Sequence, residues 1–92
     1  MSGSYVSGDA FQEIRAEHPE ATSRELEAAL RTAGAAPEIR YEPKGVIILE
    51  VALKPLAEKD RNRILAAHRL AIPADQQLRV MIVPTNPPAY PR

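Results

Sequence analysis

"KGVIILEV", residues 44–51, is the stretch on which the fold turns. Val46, Ile47, Ile48 and Leu49 are apolar in succession, and then Glu50 interrupts. A strand with one solvated face alternates apolar and polar residues. This segment therefore reads as apolar on both faces where it starts and on one face where it ends. Upstream, Ile39 and Tyr41 alternate with Glu38, Arg40 and Glu42, the pattern of a half-buried strand. Between them "EPKG" places Pro43 and Gly45 at the second and fourth positions that a type I turn prefers. The spacing predicts a β-hairpin whose second strand covers 46–53. "QQLRVMIVP" predicts a last strand over 77–83, closed by Pro84.

Three helices are expected around these strands. Asp9 can cap a first helix through Gln12, with Phe11, Ile14 and His18 on one face and Pro19 ending it. Thr22 and Glu25 form a T-x-x-E capping box ahead of a stripe of Leu26, Ala29, Leu30 and Ala33. Gly34 stands where a left-handed C′ residue is wanted, so this helix is placed at 23–33. "PLAEKDRNRILAAHRLAIP" predicts a third helix over 56–71. Its middle, "EKDRNR", is charged all round, so either its buried contact is thin or its first turn is loop.

The expected fold is α+β, in the order ααββαβ, with a three-stranded mixed sheet of order 1-2-3 and helices mainly on one face. The length of the segment before the last strand suits a right-handed crossover to a parallel strand. One domain spans 9–83, between a lead-in at 1–8 and a proline-rich tail at 84–92 with four prolines. On the covered sheet face lie Ile39, Tyr41, Ile47, Leu49, Val51, Leu53, Leu78, Val80 and Ile82. The opposite face carries Glu38, Arg40, Glu42, Glu50 and Arg79, but also Val46, Ile48, Met81 and Val83. Those four apolar side chains imply a cover: the first helix, the tail or a second protein chain.

Composition narrows the function classes. There is no cysteine, so disulfides and thiolate metal sites are excluded and a cytoplasmic protein is the expectation. No apolar run approaches the ~20 residues that span a bilayer, and the N-terminus lacks a signal-peptide pattern. Net charge is zero, though residues 1–36 carry three arginines against six acids and 37–92 carry nine cations against six acids. A balanced chain lacks the cation excess of a general phosphate-backbone binder.

Catalytic chemistry is hard to find. The serines are Ser2, Ser4 and Ser7 in the lead-in and Ser23 at a helix start, and neither histidine has a local partner that suggests a triad. His18 and His68 lack metal-ligand spacing, and the four glycines form no phosphate loop. The expectation is no enzyme, no cofactor and no metal.

Two binding readings remain. One is a protein-binding domain, either a homodimer or an accessory, inhibitor or regulatory subunit, using Val46, Ile48, Met81 and Val83, with Tyr90 in the tail as a docking anchor. The other is a nucleic-acid-binding regulator using Lys54, Lys59, Arg61, Arg63 and Arg69 on and before the third helix. Against it, Asp60 and Arg63 sit at i,i+3 as an intrahelical pair, and no aromatics interleave for base stacking. "LAIPADQQLRVMIVP", residues 70–84, resembles the ends of small bacterial antitoxins, which implies such a regulator. The likeness covers under a fifth of the chain, and no residue role is carried over from it.

Overall fold

Seven elements follow one another in the computed structural model, which describes residues 11–85. Strand β1 is Gln12–Ala16, helix α1 Pro19–Ala33 and strand β2 Glu38–Tyr41. A 3-10 turn at Pro43–Gly45 leads to strand β3, Ile47–Ala52. Helix α2, Glu58–Ala67, and strand β4, Gln77–Pro84, complete the fold. The four strands form one mixed sheet in the order β1-β4-β3-β2. The lead-in, the Asp9 cap and Tyr90 lie outside the described residues.

The fold is mixed α+β, but the order is βαββαβ with four strands, not ααββαβ with three. The segment expected as a first helix is β1. Phe11, Ile14 and His18 do fit a helical spacing, yet Gln12, Ile14 and Ala16 equally alternate with Glu13 and Arg15. So short a window satisfies both periods. Pairing decides between them: β1 runs parallel to β4, with Ile14 opposite Ile82 and packed against the core.

Pro19 begins α1 instead of ending a helix before it. Its missing N–H falls where no partner is needed, and its φ is already helical. The helix thus starts four residues earlier than expected, and the Thr22–Glu25 capping box does not form. Thr22 sits in the first turn and donates its N–H to the His18 carbonyl. The C-terminal end follows expectation. Gly34 has φ +110°, and the N–H groups of Gly34 and Ala35 bond to the carbonyls of Arg31 and Leu30 at 3.0 and 2.9 Å, a Schellman motif.

The hairpin pairs Tyr41 with Ile47 and Ile39 with Leu49. Its turn is not type I. Lys44 has φ +67°, in the left-handed region that the third residue of a type I turn never enters. Tyr41, expected to be half-buried, is 69% exposed, because it lies on the outermost strand.

β4 runs antiparallel to β3, with Ile47 opposite Ile82 and Leu49 opposite Val80, and the expected parallel crossover is overturned. The reason lies in α2, which spans 58–67 instead of 56–71. Ten residues rise only about 15 Å. The chain then turns at His68–Arg69 and travels back through 70–76, so that β4 starts beside the end of β3. The Leu53 N–H there donates to the Gln76 carbonyl at 2.8 Å. The Gln12 side chain holds the return segment, donating to the Ala71 carbonyl at 2.8 Å and accepting from the Ala71 N–H at 2.7 Å.

Leu26 and Leu30 of α1, Ile64 and Leu65 of α2, and the inward row of β3 and β4 form one buried cluster. Ile47, Leu49, Val51, Leu53, Leu78, Val80 and Ile82 all belong to it. Both helices therefore cover the same sheet face.

Substitutions at these joints should change stability with opposite signs. Gly34→Ala should lower unfolding free energy by about 1 kcal/mol, since a Cβ is strained at positive φ. Arg69→Gly should raise it by about 0.5–1 kcal/mol, because Arg69 occupies the equivalent C′ position of α2 at φ +58°. Urea denaturation of both variants checks the opposite signs. Gln12→Ala should cost about 1–2 kcal/mol by the same measurement, the net worth of two hydrogen bonds.

Candidate functional site

The outer sheet face is built by register. Across all four strands, Glu13 stands opposite Met81, Met81 opposite Ile48, and Ile48 opposite Arg40. Two residues along, Arg15 stands opposite Val83. Continuing the Ile47–Ile82 register sets Val46 against Val83, and the Glu42 N–H donates to the Val46 carbonyl at 2.8 Å. A second row therefore reads Arg15, Val83, Val46, Glu42. In the other direction Arg79 stands opposite Glu50, and Glu50 opposite Glu38.

The structure thus brings Val46, Ile48, Met81 and Val83 together as one apolar strip on the two inner strands. Ile48 is 8% exposed yet lies outside the core cluster, as its position on the far side of β3 requires. Val46, Met81 and Val83 are half-buried. No described helix covers this strip. The expected cover by a first helix is removed, because those residues are the edge strand β1.

Charges of both signs frame the strip. Arg15 pairs with Glu13 at 3.4 Å on β1. On the β2 side Arg40 reaches Glu42 at 3.7 Å and Glu50 at 3.4 Å, and Arg79 reaches Glu50 at 3.9 Å. The side chains of Arg15 and Arg40 are more than half exposed, so these pairs each contribute at most about 1 kcal/mol to stability. An apolar centre inside a polar rim is the anatomy of a protein interface.

The basic residues singled out in the sequence do not converge in the same way. Arg61 is mostly covered, and its guanidinium donates to the Asn62 side chain at 3.0 and 3.1 Å and to Gln76 Oε1 at 3.4 Å. Arg63 is held by Asp60 at 3.0 Å. Lys54 lies in the turn before α2, not on the helix, while Lys59 and Arg69 are exposed. Sequence reasoning missed the commitment of Arg61 to the loop before β4, because no local spacing links residues 61 and 76.

For catalysis the described residues offer little. Ser23 is buried in the packed side of α1. One depression is lined by Glu17, His18, Pro19, Glu20 and Gly45, and another by Ala36, Glu38, Glu50, Val51, Ala52 and Gln77. Neither sets a nucleophile beside a base. Among the described residues no three His, Cys, Asp or Glu side chains converge as a metal site, and no helix is long and apolar enough to cross a membrane.

No family model, curated protein or solved structure matches this chain.

The two faces of β3 and β4 should respond differently to truncation. Leu49→Ala, in the core, should cost about 2–5 kcal/mol. Met81→Ser, on the outer strip, should cost under about 1 kcal/mol at concentrations where the chain is monomeric. Denaturant titration at low micromolar protein tests the contrast.

Proposed function

We propose that this chain is a small protein-binding domain that works by docking its outer sheet face, not by chemistry, as a dimer or as an accessory or regulatory subunit in the cytoplasm. The observation that supports this reading most is the apolar strip of Val46, Ile48, Met81 and Val83 on the face opposite both helices. Ile48 is already nearly covered and the other three are part-buried, so removing what remains exposed contributes a few kcal/mol at most, at about 25 cal/mol per Å². The charged rim adds orientation and excludes wrong partners.

The nucleic-acid reading draws less support. Arg61 and Arg63 are engaged within the chain, and a phosphate would have to displace Asp60 from Arg63. Without those two, Lys54, Lys59 and Arg69 make a sparse cationic set.

The experiment compares three tagged chains in the native host: wild type, Met81→Glu/Val83→Glu on the outer face, and Arg24→Glu on exposed α1. Circular dichroism confirms that each folds. The expected result is stoichiometric protein, copies of the chain included, held by wild type and by Arg24→Glu and lost from the outer-face variant. Equal retention by all three chains overturns the proposal.

A further inference from the structure

Resting on that protein-binding reading, we propose that the occupant of the outer face is a second copy of this chain, docked face to face about a two-fold axis that runs along the strands between β3 and β4. A two-fold interface brings the same patch from each subunit together, so the patch must be complementary to itself. Rotation about this axis sets β1 of one copy over β2 of the other and β4 over β3. The first row, Glu13, Met81, Ile48 and Arg40, then meets its own reverse. Glu13 faces Arg40, Met81 faces Ile48, and Arg40 faces Glu13.

The second row repeats the match with the signs exchanged. Arg15 faces Glu42, and Val83 faces Val46. In the third, Arg79 faces Glu50. In the first two rows the apolar positions are symmetric about the axis and the charged positions are antisymmetric. A patch of one sign, or a rim with Glu on both flanks of a row, would repel its own copy. A two-fold axis across the strands, between the first two rows, also joins unlike charges there. It would, however, set Arg79 and Glu50 over Thr85 and the Lys44 turn instead of over one another.

Each rim charge keeps its intrachain partner in this arrangement. Glu13 has Arg15 at 3.4 Å and Arg40 has Glu42 at 3.7 Å along the same strand. Docking a copy adds an unlike neighbour above each of these, while Glu38, at the β2 end of the third row, gains none. Four strands at ~4.8 Å spacing and about five residues at ~3.4 Å rise give a face of roughly 20 by 17 Å. Two copies then cover roughly 700 Å², below the standard interface size, so weak and transient self-association is expected.

Sedimentation equilibrium on wild type, Glu13→Arg, Arg40→Glu, Met81→Glu and an equimolar mixture of the first two variants tests the register. In the homodimer of either charge variant, every 13–40 contact joins like charges. In the mixed dimer every such contact joins unlike charges. The expected result is a wild-type dimer, at least ~10-fold weaker association for each charge variant alone, and a mixed dimer within ~3-fold of wild type. Arg15→Glu mixed with Glu42→Arg repeats the test on the second row should a first-row variant fail to fold.

A wild-type chain that stays monomeric to ~500 μM overturns the second copy as occupant and leaves the protein-binding reading standing. A dimer that Met81→Glu does not weaken overturns the outer face as the self-association site, and with it this proposal. A dimer that Met81→Glu abolishes but mixing does not restore overturns the axis while keeping the face.

Discussion

The antiparallel register of β3 against β4 is the constraint on which the rest of the structure depends. Six residue pairs, from Ile47–Ile82 to Ala52–Gln77, fix it. Because side chains alternate, a slip by one residue on either strand would carry its core residues to the outer face. The register is pinned at its open end from both strands. Leu53 donates its N–H to the Gln76 carbonyl, and Asp75 Oδ1 accepts from the Gln77 N–H at 3.1 Å, which starts β4 at a defined residue. The core and the outer strip are thus two readings of one pairing. Leu49 and Val80 are buried for the same reason that Ile48 and Met81 meet on the other side.

The rest of the topology follows from how the chain returns to make that pairing. A short α2 and an extended return leave β4 antiparallel to β3, with its far edge open. That far edge accepts β1 in parallel, and the Gln12 amide ties β1 to the return segment at Ala71. The sheet therefore gains a fourth strand where a first helix was expected. Among the described residues there are two helices, and both share a cluster with the inward row. The layers are unequal: one sheet face has two helices, and among the described elements the other has none.

Much of this was legible where local and tertiary preferences agree. The hairpin shows in the alternation from Glu38 to Glu42 and the apolar run from Val46. The Leu26–Leu30 spacing and Gly34 mark the packed face and the end of α1. The inward row of β3 and β4 follows from strand parity alone. What stayed hidden needed contacts between residues distant in sequence. Gln12 looks like a capping residue until Ala71 is beside it, and Ile14 fits either period until Ile82 is opposite. The direction of β4 depends on where α2 stops, and Arg69 at φ +58° ends it without the glycine that would mark the place. The four strip residues were legible because parity assigns them outward. The sign pattern of their rim was not, since Glu13 and Arg15 join it only once β1 is a strand.

That rim has a physical logic of its own. Glu13 and Arg15, like Arg40 and Glu42, alternate in sign along one face of an edge strand. Charged residues there blunt pairing with stray strands, because an incoming apolar segment would have to desolvate them. Solvated pairs of this kind add little to the stability of the monomer. On the docking reading proposed above, their effect would lie in selection, since a surface that covers Val46, Ile48, Met81 and Val83 also meets both signs at each flank. The apolar strip and its alternating rim are products of one sheet register, which turns Val46, Ile48, Met81 and Val83 outward and sets Glu13, Arg15, Arg40 and Glu42 at their flanks.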